Sequence, residues 1–119
     1  MKMLELLNDH PKSAIVVKQW MLNKLIDSLK DDSLPEDFKE IVRRQGIDNE
    51  KVANMVENSS RSLFDVFDEH KIYIETIVDE LGSFWWKIGE IKSTAGYEYR
   101  INCDRAAIVE AFKLLEEKL

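Results

Sequence analysis

Phe84-Trp85-Trp86-Lys87-Ile88-Gly89-Glu90-Ile91 and, beyond Lys92 and the tetrad Ser93-Thr94-Ala95-Gly96, Tyr97-Glu98-Tyr99-Arg100-Ile101-Asn102-Cys103 are the residues on which the fold class turns. Both stretches are dense in aromatic and β-branched side chains, which suit a pleated, half-buried surface. The small, polar tetrad between them suits a hairpin loop. The pattern predicts a β-hairpin with arms at 84–91 and 97–103. In the second arm Tyr97, Tyr99, Ile101 and Cys103 alternate with Glu98, Arg100 and Asn102, so one face is apolar and the other wet. Matching that face to Phe84, Trp86 and Ile88 turns Trp85, Lys87 and Ile91 the other way.

Working outward, Ile72-Tyr73-Ile74-Glu75-Thr76-Ile77-Val78 has strand composition. A helix is the rival reading, because Tyr73, Ile77 and Leu81 also stand at helical spacing. Downstream, Asp104 is expected to cap a last helix whose apolar stripe is Ile108, Ala111, Phe112, Leu115 and Leu119.

The first half of the chain reads as helices. Met3, Leu4, Leu6 and Leu7 form a short apolar lead-in, and Asn8-Asp9-His10-Pro11 offers a cap and a first-turn proline. A long helix is predicted over Pro11–Leu29, with Ile15, Trp20, Leu22, Leu25, Ile26 and Leu29 on its inner face. Ser33-Leu34-Pro35-Glu36 is a capping box for a second helix carrying Phe38, Ile41 and Val42. Gly46 suits a helix stop. Ile47, Asp48 and Val52 match a hydrophobic staple around an aspartate cap, opening a third helix with Val52, Ala53, Met55 and Val56. The Asn58-Ser59-Ser60 break leads into a fourth with Leu63, Phe64, Val66 and Phe67. The expectation is one α+β domain over 1–119, made of about four helices in 1–70, a small antiparallel β-meander in 71–103 and a C-terminal helix in 104–119.

Composition narrows the function classes. The 119 residues are 45% apolar and 34% charged, with 4 glycines and 2 prolines, which is the make-up of a chain that builds a core. No apolar run approaches the roughly 20 residues of a membrane span. Glu5 and the Asn8–Pro11 segment interrupt any signal-peptide core, and the single cysteine, Cys103, allows no intrachain disulfide, so the cytoplasm is the expected compartment. The net charge is −6 and neither half is basic, so the chain lacks the global electrostatic footprint of a nucleic-acid or anionic-membrane binder.

Catalytic equipment is not evident. Cys103 has no histidine near it in sequence and reads as a small buried apolar residue. His10 and His70 lack the paired spacing of metal ligands, and His70 is placed to interact with the C-terminal end of the fourth helix. The carboxylates fall mostly at helix starts, turns and solvated faces. Gly46, Gly82, Gly89 and Gly96 are too scattered to make a phosphate loop. No catalytic residue, metal ligand or cofactor is therefore assigned.

Two constellations bear on binding. Val52-Ala53-Asn54-Met55-Val56-Glu57-Asn58-Ser59-Ser60-Arg61-Ser62-Leu63-Phe64-Asp65-Val66 resembles a helix-turn-helix, with Val52, Ala53, Val56, Leu63 and Val66 as packing positions. The resemblance implies a winged-helix-like DNA-binding transcriptional regulator that reads DNA through Ser59, Ser60 and Arg61. Glu57 departs from the usual turn glycine, and Asp65, Asp68 and Glu69 acidify the reading helix, which opposes phosphate. The second constellation is Trp85-Trp86. Adjacent strand residues face opposite ways, so one tryptophan enters the core and the other is available outside. With Lys87, Ile91 and Arg100, Trp85 has the composition of an interface anchor. The leading expectation is a small non-catalytic regulatory or interaction domain, of inhibitor, adaptor or immunity type, that binds a protein rather than nucleic acid or membrane.

Overall fold

Helical and extended segments alternate as α1 (Met3–Asp9), α2 (Pro11–Ser28), α3 (Asn49–Val56), α4 (Ser62–Glu69), β1 (Ile74–Val78), β2 (Phe84–Ile88), β3 (Ile91–Lys92) and α5 (Arg100–Lys118). This computed structural model describes residues 2–28, 48–57 and 60–119. The class is α+β: helices first, then a three-stranded antiparallel sheet of order β1-β2-β3, then a helix that packs on the sheet. The capping box at Ser33–Glu36, the helix carrying Phe38, Ile41 and Val42, the Gly46 stop and Ile47 lie outside the described residues.

The lead-in is itself a helix. Met3, Leu6 and Leu7 bury one face of α1, and three-and-four spacing explains why so short an apolar cluster suffices. The cap for α2 does not come from Asn8 or Asp9. Asn8 instead accepts from the Asn49 amide at 2.9 Å, tying α1 to α3. The orphan amides of Lys12 and Ser13 donate to Glu116 of α5, at 3.0 and 2.8 Å, and the Ser13 hydroxyl adds a third bond at 2.8 Å. A carboxylate at a helix N-terminus satisfies free amides and complements the helix dipole. Burial opposes ionisation of Glu116, but the Ser13 and Lys12 amides and the Ser13 hydroxyl outweigh it and hold the carboxyl below its usual range. A depressed folded-state pKa stabilises above the unfolded value of about 4.3 and is lost as pH falls through the folded value. Glu116→Gln is therefore expected to flatten the acid limb of stability, measured as urea midpoints against pH. An acid limb as steep as in the wild type would mean that other carboxylates carry it.

Of the predicted inner face of α2, Ile15 is exposed and Trp20 and Leu22 are partly buried, while the side chains of Leu25 and Ile26, and Leu29 altogether, lie outside the described residues. Ser13, Ala14, Val17 and Met21 are buried, Val16 and Trp20 are partly buried, and Ile15 stands 65% exposed. Small Ser13 and Ala14 allow α5 to approach closely. In α3, Asp48 caps as expected, accepting from the Lys51 amide at 2.8 Å. Val52, Ala53 and Val56 face inward while Met55 is exposed. Leu63, Val66 and Phe67 do the same for α4, which begins without a side-chain cap.

The sheet confirms β1 as a strand, paired with β2 in the register Ile74↔Ile88, Thr76↔Trp86 and Val78↔Phe84. The predicted hairpin between 84–91 and 97–103 is not formed. The chain reverses earlier, at Gly89-Glu90, where Gly89 adopts a φ of +58°, and Ile91 and Lys92 pair back onto β2, followed by the Ser93 amide, which donates to the Trp86 carbonyl at 2.9 Å. Tyr97 then makes a single bridge to Phe84, exchanging bonds of 2.8 and 2.7 Å. With β3 and Tyr97 on that edge of β2, a seven-residue arm has nothing to pair with.

Residues from Arg100 onward are helical instead, four residues earlier than Asp104. Cys103 and Asp104 thereby join Ala107, Ile108, Ala111, Phe112 and Leu115 in one buried stripe. Tyr99 and Ile101, expected on an inner strand face, are exposed. The inner face of β2, with Trp86 and Ile88 buried, lies on the sheet side that packs against α5.

Candidate functional site

The outer face of the sheet is built by alternation from Glu75 and Ile77 of β1, Trp85 and Lys87 of β2, and Lys92 of β3. Glu75 stands opposite Lys87, and Ile77 opposite Trp85. Cross-strand neighbours of opposite charge or complementary apolar shape stabilise each other on such a face. Trp85 is half-buried and held firmly. Its indole donates to Asp79 at 2.8 Å, and Asp79 also accepts from the amides of Leu81 and Ser83, both at 2.9 Å. The Trp85 bond, then the Ser83 bond, draws the Asp79 carboxyl below its usual range against a smaller opposing effect of burial.

Gly96 lies under the Trp85 ring. A β-carbon there would come within 3.1 Å of the indole and 2.9 Å of Ser83, so no side chain fits without displacement. Trp85 thus braces the β1–β2 turn and the loop before α5. Trp85→Ala is expected to cost about 2 kcal/mol, less than a fully buried tryptophan. Denaturant titration would show it, and an unchanged midpoint would return Trp85 to the role of free anchor.

The residues singled out with Trp85 separate in space. Lys87 shares its face. Ile91 pairs with Ile88 and so takes the opposite face, because the two-residue turn at Gly89-Glu90 shifts the alternation by one. Arg100, on the first turn of α5, lies 5.0 Å over the Phe84 ring. What the sheet does expose at the turn end of β1 was left unmarked by the composition: Ile77 on the outer face and Val78 on the inner, each 49% exposed, and Leu81 at 92% in the adjoining turn. These residues lay in the segment where strand and helix readings competed, and strand geometry sets Ile77 and Val78 on opposite faces beside the turn. Among the described residues, no strand pairs with the second edge of β1.

The helix pair of the helix-turn-helix resemblance is present as α3 and α4, with its packing positions buried. Ser59 lies outside the described residues, and Ser60 is buried. Arg61 is engaged internally, donating to Asp104 of α5 at 2.8 and 3.3 Å, while Thr76 of β1 lies 3.4 Å from the same carboxylate. Cys103 is buried as expected, on a helix rather than a strand. Burial pushes its thiol pKa up and Asp104 adds to the shift, against smaller opposing effects of Arg61 and Arg100. A thiol reagent should therefore label the native protein slowly until denaturant is added; rapid stoichiometric labelling of folded protein would contradict this.

Among the described residues no group of three or more His, Cys, Asp or Glu is placed to hold a metal ion, and no helix is long and apolar enough to cross a membrane. Comparison with protein-family models, curated proteins and solved structures returns no match.

Proposed function

We propose that this protein is a non-catalytic interaction domain that docks a protein partner on the β1 edge that no described strand pairs with, and on the apolar residues Ile77, Val78 and Leu81 at the end of that strand. The carrying observation is the character of that edge. A free strand edge presents unpaired backbone donors and acceptors, and proteins that leave one uncovered usually blunt it with charge, proline or a bulge. β1 has neither proline nor bulge, and its single charge, Glu75, is opposed by Lys87. An extended segment added to such an edge gains main-chain hydrogen bonds, while the apolar side chains beside it supply specificity. The role is that of an inhibitor, adaptor or immunity-type protein, and the cytoplasm is its proposed compartment.

Duplex DNA ranks below a protein partner. Arg61 is bonded to Asp104, and the exposed Asp65, Asp68 and Glu69 of α4 oppose phosphate. Affinity capture with the wild type and with the Ile77→Lys, Leu81→Glu double variant, each with and without nuclease, tests both readings. A protein captured by the wild type, lost in the folded variant and insensitive to nuclease is the expected result. Capture that vanishes with nuclease would favour the DNA-binding regulator, and equal capture by the variant would remove the β1 end from consideration.

A further inference from the structure

On the inner side of the sheet, away from Ile77 and Leu81, a cleft of about 540 Å³ opens between β2 and α5, lined by Trp86, Tyr97, Asn102, Arg105, Ala106 and Val109. Its size falls within the range of small-molecule sites, about 300–1,000 Å³. Asn102, Arg105, Ala106 and Val109 stand at three-and-four spacing, so one strip of α5 faces it. Trp86 supplies the buried part of the lining, at 9% exposure, and its indole Nε1 is buried with no acceptor. The neighbouring Trp85 indole, by contrast, has Asp79. A buried donor without an acceptor carries a desolvation cost that no bond in the fold offsets.

We propose that this cleft binds a small carboxylate with an apolar body. Asn102 and Arg105 bring an amide and a guanidinium to the lining, Trp86 an indole, and among the described residues no Asp or Glu lines the cleft. An arginine fork matches a carboxylate with two parallel bonds. Arg105 now meets Glu57 at 3.4 Å from its carboxylate and 3.5 Å from its carbonyl oxygen. Both side chains are about half exposed, and an ion pair of that length and exposure is readily exchanged for another. Tyr97, Ala106 and Val109 offer the surface on which an aromatic or branched aliphatic body rests.

The test uses the full chain labelled with ¹⁵N, in which the three tryptophan indoles give separate resonances and Trp86→Phe assigns one of them. Titration with phenylacetate is expected to move the Trp86 indole resonance saturably in the millimolar range or tighter, typical of a small fragment. Phenethylamine, of similar shape and opposite charge, is expected to leave it in place. Arg105→Gln should weaken phenylacetate about tenfold or more while the melting temperature holds, as loss of a charged bidentate partner does. Glu57→Gln, which frees Arg105, should leave binding equal or tighter. The proposal is overturned by an absent or unsaturable Trp86 shift, by an equal response to phenethylamine, by unchanged affinity in Arg105→Gln, or by weakening in Glu57→Gln, which would make the ion pair a structural support only.

Discussion

Phe112→Ala is expected to destabilise the protein by about 4 kcal/mol, the scale of a large aromatic removed from a packed core. Phe112 is fully buried on α5. Its ring meets Phe67 of α4 edge-on, at 5.4 Å and 85°, and lies 5.7 Å from the ring of His10 between α1 and α2. Three helical segments thus converge on one side chain, and truncating it leaves a cavity that none of them can fill alone. Phe112→Leu keeps most of the volume and should cost about half as much or less. Urea unfolding of the two variants decides the matter. A loss below about 1 kcal/mol in the alanine variant would mean that α5 shifts to close the gap.

Arg61 and Asp104 are expected to be unequal partners. Asp104 is buried, with 4% of its side chain exposed, whereas the Arg61 side chain is half exposed and stacks 5.3 Å over Phe64. Arg61→Ala strands a buried carboxylate that Thr76 still approaches at 3.4 Å, and should cost about 3 kcal/mol, the low end for a broken buried pair because water reaches the arginine side. Asp104→Asn removes the buried charge and leaves a guanidinium free to turn into solvent, so about 1 kcal/mol is expected. The measurement is again denaturant unfolding of each single variant and of the double variant. Equal losses in the two single variants would show that the carboxylate is better solvated than its burial indicates. The pair also joins α4, β1 and α5, so Arg61→Ala should speed amide exchange in β1 as well as at the start of α4.

Several elements were legible from residues alone. α2, α3 and α4 follow from helical periodicity with local stop and cap residues, and Asp48 caps α3 where its spacing to Val52 places it. β1 follows from β-branched composition, and the inward turn of Trp86 and Ile88 from strict alternation within β2. What misled was Tyr97 to Cys103, seven residues whose alternation satisfies a strand while Tyr99 and Cys103 stand at helical spacing. Local pattern cannot rank the two, because the deciding quantity is whether a partner edge is free to pair. The β1 end formed by Ile77, Val78 and Leu81 was hidden for a similar reason: exposure belongs to an assembled sheet, not to a window of sequence.

The amino-acid sequence by itself determined the α+β class, the succession of α2, α3, α4, β1 and β2, the burial of Cys103 and the acidity of the chain, since each rests on period, composition or charge carried within a few residues. Only the tertiary structure decided that Glu116 caps a helix 103 residues away, that Asp104 neutralises Arg61, that β2 turns at Gly89 and that Trp85 is clamped by Asp79. Those outcomes depend on which donor and acceptor the packed chain brings within 3 Å of one another, and chain distance carries no information about that.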